Sequence, residues 1–127
     1  METNPGGDRC EPSAEVLFIT DDPALAAVYR LRLEIDDYAV TWVEPAAVSG
    51  ILGAVNPDLV YLDADSAASR TPSILAQLRR AVTTRHKPLA ILSRTPEEVL
   101  RRELPLLPGD FVLSTYHHLA AGNRDGR

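Results

Sequence analysis

The residues able to do chemistry in this chain carry oxygen, and they gather at four places. Asp21 and Asp22 follow Val16-Leu17-Phe18-Ile19-Thr20, and Asp63 and Asp65 follow Leu59-Val60-Tyr61-Leu62. Ser93 and Arg94 follow Pro88-Leu89-Ala90-Ile91-Leu92, and Ser114 and Thr115 follow Phe111-Val112-Leu113. Each group therefore sits directly behind a short apolar run. Cys10 is the only cysteine, so neither an intramolecular disulfide nor a cysteine-cluster metal site can form. His117 and His118 are adjacent and would not face one another on a helix, so they read as surface or tail residues. Lys87 is the only lysine, against twelve arginines.

The elements that must position these groups fit one domain of 127 residues. Apolar residues are 45% of the chain, enough for one two-sided core. No apolar run reaches the length of a membrane span and the first twelve residues hold no hydrophobic signal region, so a soluble, cytoplasmic protein is expected. The net charge of −5 disfavours a nucleic-acid grip. Arg79-Arg80 and Arg101-Arg102 read as solvated helix ends that complement the helix dipole. Residues 1–14 are expected to be a disordered leader, 15–121 the folded domain and 122–127 a flexible tail.

Along the domain, strand and helix signals alternate. The run Glu15 to Ile19 reads as a strand, and Asp22-Pro23 as the cap and first residue of a helix. That helix carries Leu25, Val28, Leu31 and Ile35 at steps of three and four. Tyr38 to Val43 is a second strand, followed by a helix over 45–55 weakened by Gly50 and Gly53. Leu59 to Leu62 is a third strand. Thr71-Pro72 begins a helix with Ile74, Leu75, Leu78 and Val82 on one face, and Pro88 to Leu92 is the fourth strand. Thr95-Pro96-Glu97-Glu98 has the form of a capping box with proline at the first helical position. Phe111 to Leu113 is a short fifth strand, and Gly122-Asn123 cuts any final helix short.

Strands that read as nearly continuous apolar runs between helices imply a parallel sheet covered on both faces. In such sheets the functional groups lie at the carboxyl ends of the strands. This rule selects Thr20, Asp21, Asp22, Asp63, Asp65, Ser93, Arg94, Ser114 and Thr115, and it sends Lys87 to the opposite end.

In this order and spacing the residues resemble the receiver domain of bacterial response regulators, over roughly 15–116. Val16 to Leu25 resembles the family's first strand and acidic turn. Pro57-Asp58-Leu59-Val60-Tyr61-Leu62-Asp63 resembles its third strand, which ends on the phosphorylated aspartate. The resemblance implies a CheY-like, flavodoxin-like (βα)5 three-layer α/β sandwich: a five-stranded parallel sheet with a short or incomplete fifth helix. It also implies Asp63 as phosphoacceptor, Asp21, Asp63 and the backbone carbonyl of Asp65 as ligands of Mg²⁺, Ser93 as the switch hydroxyl and Phe111 as the switch aromatic.

The departures from the pattern are specific. Thr20 stands where the family has the first acid of a pair, and Asp22, the other acid nearby, reads as a helix cap. Ser114-Thr115 stands where the family has Lys-Pro, and Lys87 lies at the wrong end to substitute. Arg94 is the nearest cation, but its planar fork would enter from another direction. Each missing charge-assisted contact is worth about 1.5–3 kcal/mol.

The expected function is thus an atypical or pseudo-receiver module of a two-component-type system, not an enzyme, acting by protein–protein contact with little or no dependence on phosphorylation. The alternative is a working receiver in which a histidine kinase phosphorylates Asp63 with Mg²⁺. At most, Asp63 would phosphorylate itself from a phosphodonor. Expected partners are a sensor histidine kinase or a downstream signalling protein, with no nucleic acid or membrane. A homodimer is expected through the helix 4, strand 5 and C-terminal face, where a short fifth helix would under-cover Leu104, Leu106 and Leu113. A small ligand binder or enzyme is disfavoured, because no glycine-rich phosphate loop follows the first strand.

Overall fold

A computed structural model describes residues 14–65 and 70–114. Five strands form one parallel sheet in the order β2-β1-β3-β4-β5. They are β1 (Ala14–Ile19), β2 (Tyr38–Val43), β3 (Leu59–Asp63), β4 (Leu89–Ser93) and β5 (Phe111–Ser114). Between them run α1 (Pro23–Ile35), a 3₁₀ turn (Pro45–Ala47) leading into the single turn α2 (Val48–Ile51), α3 (Thr71–Arg80) and α4 (Glu97–Glu103). This is the doubly wound α/β architecture expected from the sequence.

Because side chains alternate along a strand, the central strands feed two cores. On one face Leu17, Ile19, Val60, Leu62 and Ile91 pack with Val48, Leu52, Ile74, Leu75, Leu78 and Leu100 from α2, α3 and α4. On the other, Phe18 and Leu92 pack with Leu25 and Tyr29 of α1. Phe18, Tyr29 and Tyr61 form an aromatic cluster there, with Phe18 edge-on to Tyr29 at 5.4 Å and tilted by 37° against Tyr61 at 5.6 Å. Residues 115–127, where the short fifth helix and His117-His118 were expected, lie outside the described residues.

Several local readings need correction. The helical steps Leu25, Val28, Leu31 and Ile35 do not form the buried stripe of α1. Leu25, Ala26 and Tyr29 are buried instead, while Val28, Leu31 and Ile35 are 41%, 64% and 76% exposed. The helix is apolar on two faces, and spacing alone could not say which one meets the sheet.

Thr95 does not cap α4. The cap position is Pro96, with no side-chain bond, because the chain stays extended through Pro96 at ψ 149°; the Thr95 N–H donates to Ser93 Oγ at 3.0 Å. Val82 lies past the end of α3 and is exposed.

The arginines are also not all solvated. Arg79 makes a two-pronged ion pair with the buried Asp110. Arg101 donates to Glu97 Oε2 and to the carbonyls of Leu107 and Asp110, at 2.8, 3.0 and 2.7 Å. Asp110 also accepts the Leu107 N–H at 2.7 Å. The long loop before β5 is therefore tied to α3 and α4.

Candidate functional site

The carboxyl ends of β1, β3 and β4 converge as expected. Thr20 is fully buried, and Asp63 is 4% exposed. The Thr20 hydroxyl donates to Asp63 Oδ2 at 2.7 Å and accepts the Asp22 N–H at 3.0 Å. Asp63 Oδ1 accepts the Asp65 N–H at 3.1 Å. Thr20 is held in place by two further contacts. Its N–H donates to the Val43 carbonyl at 3.1 Å, and its carbonyl accepts Trp42 Nε1–H at 2.8 Å. The Thr20 backbone is thus fixed from two sides, and its hydroxyl is used twice, toward Asp63 and toward Asp22.

Asp22 does what its sequence context demanded: Oδ1 accepts the N–H groups of Ala24 and Leu25 at 3.0 and 3.3 Å. It caps α1 and does not replace the acid missing at Thr20. Asp21 is exposed beside it.

Asp65 behaves in a way the sequence did not announce. Its carboxylate crosses to the turn after β4, where Oδ1 accepts the Ser93 hydroxyl at 2.8 Å and Oδ2 the Arg94 N–H at 2.8 Å. Ser93, buried, in turn holds the Thr95 N–H. The hydroxyl expected to read a modified Asp63 is therefore already engaged by a neighbouring carboxylate. Arg94 contributes its backbone here, and its side chain is exposed.

Ser114 lies in register with Ser93 across β4 and β5, so its backbone ends the strand at the expected level. Thr115 is outside the described residues. Phe111, the expected switch aromatic, is 58% exposed at the start of β5. Lys87 is at the far end of the sheet, where Nζ donates to the Pro57 carbonyl at 2.6 Å and to Asn56 Oδ1 at 3.4 Å. It buttresses the loop before β3.

Burial raises the pKa of both tyrosines behind the site. Tyr29 is pushed above the ordinary tyrosine value by loss of solvent, opposed by Arg32 and reinforced by Tyr61 and Asp63. Tyr61 is raised by burial and by Tyr38, again opposed by Arg32.

These groups do not fit a resident Mg²⁺ well. Among the described residues no three His, Cys, Asp or Glu side chains stand together as a metal-holding set. Mg²⁺ demands near-octahedral oxygen donors, yet the position of one expected acid presents a hydroxyl whose proton is given to Asp63. The Asp65 carboxylate, turned to Ser93 and Arg94, adds no further acid to the set, and the Asp65 group expected to face a metal was its backbone carbonyl.

Sequence features missed one residue that shapes the site, Trp42, and the role of the Asp65 carboxylate. Trp42 lies inside the second strand signal, Tyr38 to Val43, and carries no functional reading there. A tryptophan on an edge strand whose ring nitrogen needs a partner was the available signal. The carboxylate of Asp65 gave none, because its partners are 28 and 29 residues away. No helix among the described residues is long and apolar enough to cross a membrane.

No family model matches the sequence, and no curated protein matches it. Solved structures do match the fold. The chemotaxis response regulator CheY4 of Vibrio cholerae superposes with a TM-score of 0.71 at 14% identity, over 87% of this chain and 97% of that one. The receiver domain of the sensor histidine kinase PA1611 from Pseudomonas aeruginosa, crystallised with magnesium coordinated in its active-site cleft, gives 0.70 at 18% identity, over 88% and 93%. The phosphorylated cyanobacterial phytochrome response regulator RcpA gives 0.70 at 18%, over 85% and 84%. With this strand order, these acidic strand ends and these neighbours, the chain has the fold of the CheY-like response regulator receiver domains.

Proposed function

We propose that this chain is a pseudo-receiver: a signalling module of two-component type that works by protein–protein contact, with little or no dependence on phosphorylation of Asp63. The observation that carries this reading is the buried bond from Thr20 Oγ to Asp63 Oδ2. A carboxylate that attacks phosphorus needs a free lone pair and a cation to offset charge on the transferring group. Here both Asp63 oxygens accept bonds from the protein itself, which draws charge away from the lone pairs that remain, and the threonine supplies no charge with which to hold a cation. The engagement of Ser93 by Asp65 supports the same reading, since it removes the hydroxyl through which a phosphoryl group would be sensed.

The likeness to receiver domains of regulators and sensor kinases suggests a partner from the same class of system. The α4–β5 side, where Leu107 and Phe111 are half exposed, is a surface available to it.

The test is incubation with a small phosphodonor and Mg²⁺, followed by intact mass. No phosphoryl adduct is expected on the natural chain. An adduct that disappears in Asp63→Asn would replace this reading with that of a working phosphoacceptor. Thr20→Asp restores the acid and removes the hydroxyl, so it is expected to admit an adduct dependent on Asp63.

A further inference from the structure

Helix α1 carries two apolar faces. Leu25, Ala26 and Tyr29 point into the sheet, while Val28, Leu31 and Ile35 form an outward ridge, exposed by 41%, 64% and 76%. Trp42 of the edge strand β2 is 39% exposed beside it, and Leu31 and Trp42 line one groove together with Ala27, Arg30 and Glu34. A helix that is apolar all round is normally buried all round. Contiguous exposed apolar surface with a polar rim marks an interaction site.

The charges on the rim indicate what covers the ridge. Arg30 and Glu34 lie four residues apart on one flank of the helix, and they pair at 3.1 Å although their side chains remain about half exposed, at 58% and 47%. When two identical helices pack antiparallel about a two-fold axis, like flanks face one another with their order reversed. Arg30 of each copy then meets Glu34 of the other. The apolar positions fit the same arrangement: with the axis passing between residues 31 and 32, Val28 is level with Ile35 of the other copy, while Leu31 against its own copy and Arg30 against Glu34 are each offset by one residue's rise, about 1.5 Å. The ridge and its rim are therefore complementary to themselves, which is the requirement of an isologous contact. Arg32, on the opposite flank, meets its own copy near the axis, with the exposed Asp36 one turn away. That like-charge approach keeps the association reversible.

We propose that the outer face of α1 is the contact between two copies of this chain, packed antiparallel with Arg30 of each paired to Glu34 of the other. This does not depend on the state of Asp63.

Sedimentation equilibrium of the full chain over a concentration series is the test. A reversible dimer is expected. Leu31→Glu and Ile35→Glu, both at exposed positions, are expected to leave the circular dichroism spectrum and thermal midpoint unchanged and the chain monomeric. Arg30→Glu and Glu34→Arg singly are expected to weaken the dimer about tenfold, since each replaces two symmetric attractions by repulsions. The double variant Arg30→Glu/Glu34→Arg is expected to return to within about threefold of the natural chain. A chain that stays monomeric to about 1 mM overturns the proposal. So does a dimer indifferent to Leu31→Glu but lost in Phe111→Asp, or a double variant no tighter than the singles.

Discussion

At the scale of single residues, one hydroxyl sets the character of the site. Thr20 has no solvent contact, and its Oγ is both donor to Asp63 and acceptor from Asp22. Removing it leaves a buried carboxylate oxygen without that donor and the first turn of α1 without its tie. Thr20→Val keeps the shape and loses both bonds, and it is expected to lower unfolding free energy by about 2 kcal/mol, measured by chemical denaturation. Trp42 acts one step further out, through the carbonyl of Thr20. The role of Thr20 could not be read from residue type. Threonine at a strand end is ordinary, and only the 43-residue link to Asp63 gives it meaning.

At the scale of elements, polar contacts bridge segments far apart in sequence. Asp65 ties the end of β3 to the turn that opens α4. Asp65→Ala frees the Ser93 hydroxyl and the Arg94 N–H, so faster amide hydrogen exchange is expected at Arg94 and Thr95, with β4 unchanged. A result in which those amides stay as protected as before would show that the turn does not rely on the carboxylate.

The second bridge joins α3 to the loop before β5 through Arg79 and Asp110. Asp110 is buried and Arg79 about a quarter exposed. Breaking such a pair strands a buried charge, softened here by solvent at the arginine. Asp110→Ala is expected to cost about 2–3 kcal/mol by denaturant titration. Arg79→Lys is expected to recover only part of that, because a point charge cannot reproduce the fork. The sequence presented Arg79 as one of a basic pair at a helix end. Only the folded chain supplies its partner, 31 residues on.

At the scale of the whole molecule, the aromatic side of the sheet gives a pH signature. Tyr29 and Tyr61 have their pKa raised above the ordinary 10.0, chiefly by burial. A raised value in the folded state means the unfolded chain gives up these protons first. Their stabilising contribution is full below pH 10.0 and is lost as pH rises from there through the folded values. Thermal midpoints should therefore fall in that alkaline window, and phenolate absorbance should appear above the ordinary tyrosine range while the chain stays folded. Normal titration of all four tyrosines in the native chain would contradict the burial described here.

The sequence by itself determined the alternation of five strands and their helices, the end of the sheet at which Asp21, Asp63 and Ser93 gather, the exile of Lys87 and the cap at Asp22. These follow from local signals: apolar runs, turn residues and the rule that groups at carboxyl strand ends meet. The tertiary structure alone decided which apolar face of α1 is buried, that Thr20 donates to Asp63, that Asp65 holds Ser93 and that Arg79 pairs with Asp110. Each of these depends on contacts between distant segments or on the rotation of a helix against the sheet. Periodicity fixes that rotation only when one face of the helix is apolar, and α1 has two.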